Sequence, residues 1–195
     1  MKNIKENKMF AELKTRSFFG KLYSEYYLYP KIKTYLSGHL LDYGAGIGHY
    51  SSYYKKKGGT VTSAEVNFKC IEYMKTINLK TITIVNNSLD SDDSIYDSVL
   101  LDNVLEHVDD PIEVIKEISR VTKINKNIVI GVPGVKGFNV DWDHKFFFDE
   151  IEIKKICKSL NLKISKIFYT PLFKSTFLSL NLRQYCIYTV IQNSK

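Results

Sequence analysis

The chain has 195 residues, 44% of them apolar and 25% charged, with a formal charge of +7. That is enough for one buried core and too apolar for a disordered segment. No stretch approaches the roughly 18–20 apolar residues needed to cross a bilayer, and the opening MKNIKENKMF carries no leader-like apolar run, so a cytoplasmic protein without integral membrane association is expected.

The predicted elements alternate. Residues 7–36 read as helical, with Phe19, Leu22, Tyr23, Tyr26 and Tyr27 at helix spacing, either packed on the domain or folded as a lid over a pocket. From Tyr43 to Val132, short β-branched runs alternate with amphipathic stretches, as in parallel strands joined by helices. The strands are HLLDY, TVTSAE (60–65), KTITIV (80–85), YDSVLLD (96–102) and KNIVIGV (126–132). Gly58 and Gly59 end the first connecting helix, and Asn67 caps the second. Asp110, Pro111 and Glu113 form a capping box, after which Ile112, Ile115, Ile118 and Val121 share a face. GVKGFNVDWDHKFFFDE reads as an irregular aromatic loop. Asp149 with Glu152 opens a further helix through Leu160, and strands at about 162–169 and 183–192 close the chain. One domain, 1–195, is expected: a helical segment (1–36), a cofactor-binding half (38–132) and a substrate-side part (133–195).

The lysines are spread along the chain and the only arginines are Arg16, Arg120 and Arg183. A lysine surplus suits solvated faces and an anionic small substrate better than bidentate readout of nucleic acid, so no nucleic-acid partner is expected. Cys70, Cys157 and Cys186 are odd in number and widely spaced, which fits buried thiols rather than disulfides or a zinc site, and no metal ligands are assigned.

HLLDYGAGIGHY places Gly44, Gly46 and Gly48 directly after the first strand, where an open parallel sheet binds its ligand. Gly44 permits the turn, Gly46 lets backbone approach the ligand and Gly48 opens the helix. A dinucleotide fingerprint would put its third glycine at the position of His49. Glu65 lies 21 positions after Gly44, where a carboxylate accepts both hydroxyls of an unmodified ribose. Asp42 would repel a pyrophosphate and favour a sulfonium or an ammonium. The ligand expected is cationic, ribose-bearing and free of phosphate.

These stretches resemble the class I S-adenosylmethionine-dependent methyltransferases over roughly residues 38–170. LDYGAGIG is similar to their first motif and Glu65 to the ribose acid. YDSVLLDNVLEHVDDPIEVIKEISRVTK resembles their strand, V-L-E-H and D-P helix; NIVIGVPG and DHKFFFDEIEIKKICKSLNLKI resemble their fifth strand and the segment before their last strands. The resemblance implies an α/β, Rossmann-like, doubly wound, seven-stranded and mostly parallel sheet with an antiparallel last strand. It implies S-adenosyl-L-methionine as cofactor, leaving S-adenosyl-L-homocysteine. Backbone at Gly44, Ala45, Gly46 and Gly48 would carry its methionine part, with Asp42 and Asp102 at the amino group. Glu65 and Val66 would meet the ribose side. Ser88 stands where the family often has an adenine-binding acid, with the Leu89 amide beside it.

A hydroxyl acceptor needs a base, and His107 in VLEH and His144 in the aromatic loop qualify by position. His49 is a candidate contact for the methionine carboxylate, and His39 reads as a surface residue. If the N-terminal segment covers the site, Arg16 grips the methionine carboxylate or an anionic substrate. The expected function is methyl transfer to a small molecule, at oxygen of a sugar or phosphorylated metabolite, within cell-surface saccharide biosynthesis by analogy alone. The alternatives are a cofactor-binding partner protein without catalysis, and an NAD-dependent oxidoreductase. Against the latter, Tyr53 and Lys57 form a Y-x-x-x-K pair on the wrong helix. Asp102-Asn103-Val104-Leu105 is not the N-P-P-Y-like tetrad of enzymes that methylate exocyclic amines.

Overall fold

The computed structural model describes residues 10, 11, 15 and 17–194. After the N-terminal helices α1 (Phe18–Tyr23) and α2 (Tyr29–Lys33), joined by a π-helical turn at Ser24–Leu28, the first strand is β1 (His39–Tyr43). Then come α3 (His49–Lys56), β2 (Thr60–Glu65), α4 (Phe68–Thr76), β3 (Lys80–Val85) and β4 (Ser88–Leu89). The chain continues through β5 (Tyr96–Asp102), a 3-10 turn at Leu105–His107, α5 (Pro111–Val121), β6 (Thr122–Pro133) and α6 (Val135–Asn139). It closes with α7 (Glu150–Ser159), β7 (Lys163–Thr170), α8 (Thr176–Asn181) and β8 (Cys186–Gln192).

The sheet order is β4-β3-β2-β1-β5-β6-β8-β7. Five central strands are parallel, β8 runs antiparallel between β6 and β7, and β4 runs antiparallel to β3. The seven expected strands are therefore joined by an eighth. Asn86 and Asn87, at φ 49° and 62°, turn the chain within two residues, so Val85 pairs with Ser88.

Strand alternation builds two cores. Leu41, Val99, Leu101, Ile128 and Ile130 face one side, with Val114, Ile115, Ile118 and Val121 of α5 and Ile153 of α7. Leu40, Leu100 and Val129 face the other, with Leu28, Tyr29 and Ile32 from the N-terminal helices and Tyr50, Tyr53 and Tyr54 of α3. Burial on both faces explains the unbroken apolar runs Val99–Leu101 in β5 and Ile128–Ile130 in β6.

Some readings need correction. Ile112 is largely exposed, and Val114 takes the expected place in the core. In the capping box, Asp110 accepts from the Glu113 amide at 2.9 Å, but the Glu113 carboxylate turns to Asn87 at 3.0 Å instead of the cap. At the N terminus Phe19, Leu22, Tyr26 and Tyr27 are exposed. The π-helical turn adds a residue to its loop of hydrogen bonding and rotates the helix, so Ser24, Leu28, Tyr29 and Ile32 face inward. β6 begins four residues before the expected strand, directly off α5, and the aromatic loop contains the short α6. His39 opens β1 half-buried, bonded to Thr62 Oγ1 at 2.9 Å, not simply on the surface.

Candidate active site

The glycine turn connects β1 to α3 at the carboxyl end of the parallel strands. Gly44 has φ 74°, and a Cβ there would lie 2.5 Å from Val104. Gly48 has φ 78° and precedes the first residue of α3; a Cβ there would meet Leu79 at 2.5 Å. The turn's amides are directed inward. Gly44 and Ala45 donate to the Ala64 carbonyl (2.8 and 3.0 Å), Gly46 to Glu65 Oε2 (2.7 Å) and Gly48 to the Ala45 carbonyl (2.9 Å). A phosphate-cradling loop turns such amides toward its ligand. Here four of them are already bonded to the protein.

Carboxylates take the place of that cradle. Asp42, Glu65 and Asp102 come from β1, β2 and β5, which are neighbours in the sheet. Asp42 is buried and accepts from Ser51 Oγ at 2.6 Å, with Ser63 donating to Ser51 behind it. Burial pushes the Asp42 carboxyl up to about 7; the Ser51 bond opposes this and the nearby Asp102 charge adds to it. Asp102 accepts from the Tyr188 hydroxyl at 2.7 Å. Within electrostatic reach of Asp42, the buried Tyr50 hydroxyl has no hydrogen-bond partner.

Glu65 is also buried. Its Oε1 accepts from the amides of Val66 (2.7 Å) and Asn67 (2.9 Å), and its Oε2 from Gly46. Burial raises its pKa while these amides lower it. The residue thus fastens the glycine turn to the start of α4. Val66 is 63% exposed, and Phe68 at the start of α4 and Val85 at the end of β3 stand similarly open. Ser88 is exposed in β4. The Leu89 amide is not free for an adenine ring, because it donates to Glu117 Oε1 at 2.8 Å once the hairpin turns it onto α5.

Beyond β5 the fold brings His107 and His144 together. The Lys145 amide donates to the Glu106 carbonyl at 2.7 Å, which ties the aromatic loop to the 3-10 turn. The two imidazoles lie 4.6 Å apart, and His144 stacks on Phe138 at 5.2 Å. His144 Nδ1 is 2.7 Å from the Phe138 carbonyl. A carbonyl only accepts, so Nδ1 carries a proton, and in the neutral imidazole Nε2 holds the lone pair. Burial lowers the His107 pKa, and His144 lowers it further. Glu106, part of the VLEH segment but given no role by the sequence, is fully buried beside them, and burial pushes its carboxyl up to about 8.

A family profile described as a methyltransferase domain matches residues 23–166. The chain belongs to the class I S-adenosylmethionine-dependent methyltransferases. A SAM-dependent methyltransferase from Thermotoga maritima is similar at 16% identity and a TM-score of 0.72, over 91% of this chain and 92% of that one. One from Methanosarcina mazei has 21% identity and a TM-score of 0.69, over 86% and 99%. A chain in the complex between the Haloferax volcanii Trm112 methyltransferase activator and a methyltransferase has 12% identity and a TM-score of 0.72, over 90% and 93%. No curated protein matches the sequence.

The cofactor of this methyltransferase is S-adenosylmethionine, and the residues present suit it. Three carboxylates fit a ligand with a sulfonium and an ammonium, and the inward amides leave no cradle for a pyrophosphate. Arg16 lies outside the described residues. Sequence reasoning did not single out Tyr50, whose orphaned hydroxyl only the packing of α3 reveals, or Phe68 and Val85, whose exposure no spacing rule signals. Among the described residues, no helix is long and apolar enough to cross a membrane. A separate hollow lined by Asp93, Arg120, Ile124 and Leu162 lies at the opposite, amino-terminal end of the strands.

Proposed function

We propose that this methyltransferase, acting in the cytoplasm, transfers its methyl group to a hydroxyl of a small polar acceptor, such as a sugar or a phosphorylated metabolite. The observation that carries this reading is the Glu106–His107–His144 cluster beside the carboxyl end of β5. In the neutral imidazole His144 Nε2 holds a lone pair, which supports a proton-accepting role for it. S-adenosylmethionine supplies a methyl group already activated on sulfur. The protein's work is to align the acceptor oxygen, exclude water and remove its proton.

In this reading Asp42, Asp102 and the Tyr50 hydroxyl hold the amino-acid end of the cofactor. The backbone of Gly44, Ala45 and Gly46 approaches it closely because Gly44 and Gly46 carry no Cβ. Glu65 takes the ribose hydroxyls on its remaining lone pair, or in exchange for the Gly46 amide. Val66, Phe68 and Val85 flank the base, with Ser88 at the rim. His144 and His107 meet the acceptor, and the exposed Trp142, Phe146 and Phe147 shape its approach.

The test is methyl transfer from labelled S-adenosylmethionine to a panel of sugars and sugar phosphates. His144→Ala and His107→Ala should lower turnover about 100-fold or more, in line with loss of a positioned base, and leave cofactor Kd within about twofold. Unchanged turnover in both variants removes the cluster from the reaction. Tight cofactor binding by the wild type with no methylated product from any acceptor favours the partner-protein alternative.

A further inference from the structure

Glu106 is completely buried, and neither of its carboxylate oxygens has a hydrogen-bond partner. Buried carboxylates elsewhere in the fold are satisfied, as Asp42 is by Ser51 and Glu65 by three amides. His144 Nε2 stands 3.9 Å from Glu106 Oε1, beyond hydrogen bonding. With Nδ1 donating to the Phe138 carbonyl on the other side, that nitrogen is a lone-pair donor in the neutral ring. The buried carboxyl oxygen and the imidazole nitrogen thus face each other across a gap too wide for a hydrogen bond and wide enough for a shared cation. His107 completes the set: one ligand atom from each of Glu106, His107 and His144 lies within 4.8 Å of the others. Donors about 2.0–2.2 Å from one ion stand roughly 3–4 Å apart, so modest side-chain movement closes this group onto a cation.

We propose that Glu106, His107 and His144 form a binding site for a divalent first-row transition cation such as zinc, cobalt or manganese. Two imidazoles and one carboxylate suit these ions better than magnesium or calcium, which favour oxygen ligands throughout. The surroundings resemble the outer support of a metal site. The Phe138 carbonyl fixes the His144 tautomer, and Asp143 Oδ2 lies 3.7 Å from His107 Nδ1. Asp141 Oδ2 stands 3.9 Å from His144 Nε2, close enough to hold a coordinated water.

Three protein ligands leave coordination positions open. A role for the ion in the reaction rests on the methyl-transfer reading above: an acceptor hydroxyl bound there loses its proton to solvent water more readily. The pair left on its oxygen forms the bond to the methyl carbon, and sulfur keeps the pair of the broken bond. His107 and His144 then serve as ligands, and the variants proposed above lose turnover for that reason.

The test needs neither acceptor nor cofactor. The full chain, stripped with a chelator, is titrated calorimetrically with zinc, cobalt and magnesium chlorides, while the fluorescence of Trp142, the single tryptophan, is followed. The expected result is one equivalent of zinc or cobalt bound, quenching of Trp142 by cobalt, and little heat from magnesium. Glu106→Gln and His144→Ala should each weaken zinc by about 100-fold or more, whereas Asp93→Asn, at the far end of the strands, should not. Metal-free melting curves check that the variants fold, and His144→Ala carries the test if Glu106→Gln does not. No zinc uptake by the wild type, or equal uptake by wild type and both cluster variants, overturns the site. Methyl transfer that survives complete chelation overturns its role in the reaction while the methyl-transfer reading stands.

Discussion

Asp42 sits beneath the glycine turn with a carboxyl whose pKa is about 7, raised chiefly by burial. Its folded value lies above the unfolded one of about 3.9, so between roughly pH 4 and 7 the folded state holds the extra proton. Free-chain stability therefore falls as pH rises through that window, and Asp42→Asn should flatten the decline in melting temperature. A cationic cofactor prefers the ionised carboxylate. If only that form binds, Kd for S-adenosylmethionine should improve about tenfold from pH 6 to pH 8, and calorimetry on Asp42→Asn should show no such gain. At Glu65, Gln keeps one acceptor oxygen but sets an NH2 against amides that are themselves donors. Glu65→Gln should weaken the cofactor by about 1.5–3 kcal/mol, measured as a roughly 10- to 100-fold rise in Kd. The position of the turn and of Glu65 at the strand ends was legible in the sequence because it depends on local spacing. Glu106 was not, because its meaning depends on His144 arriving from a distant loop through the bond between the Lys145 amide and the Glu106 carbonyl.

Helix α5 and the β3–β4 hairpin are joined by a charged network. Arg120 grips both Glu117 oxygens (2.8 and 2.7 Å) and Asp93, while Glu117 also receives the Leu89 amide. The arginine holds the Glu117 carboxyl below its usual range, so this stabilisation is full above about pH 4.3 and is lost as pH falls through the depressed pKa. With the arginine side chain 35% exposed, solvent screening limits the loss on Arg120→Ala to about 1–2 kcal/mol. Chemical denaturation should show that loss at pH 7 and a smaller one below pH 4. Strands β1, β2, β3 and β5 matched their sequence readings to the residue, since apolar and β-branched runs closed within two residues by glycine or asparagine leave little choice. The hairpin escaped because Asn86-Asn87 reads equally as a loop. The N-terminal face was misread because helix spacing cannot foresee a π-helical turn that rotates the residues beyond it.

At the scale of the molecule, the strand order places the carboxyl ends of β1, β2 and β5 side by side, and with them Asp42, Glu65 and Asp102. The glycine turn above them has committed its amides to Ala64, Glu65 and Ala45, so the edge offers negative charge where a dinucleotide enzyme offers N–H groups. That inversion connects the sequence pattern to the cofactor, and the Glu106–His107–His144 cluster follows it in the turn just beyond Asp102. The most direct measurement is calorimetry of the full chain with S-adenosylmethionine, S-adenosylhomocysteine and NAD at pH 8. Saturable binding of the two sulfur nucleosides, unaffected by added inorganic phosphate, is expected, with no measurable heat from NAD. Binding of NAD at least as tight as that of S-adenosylmethionine would contradict it.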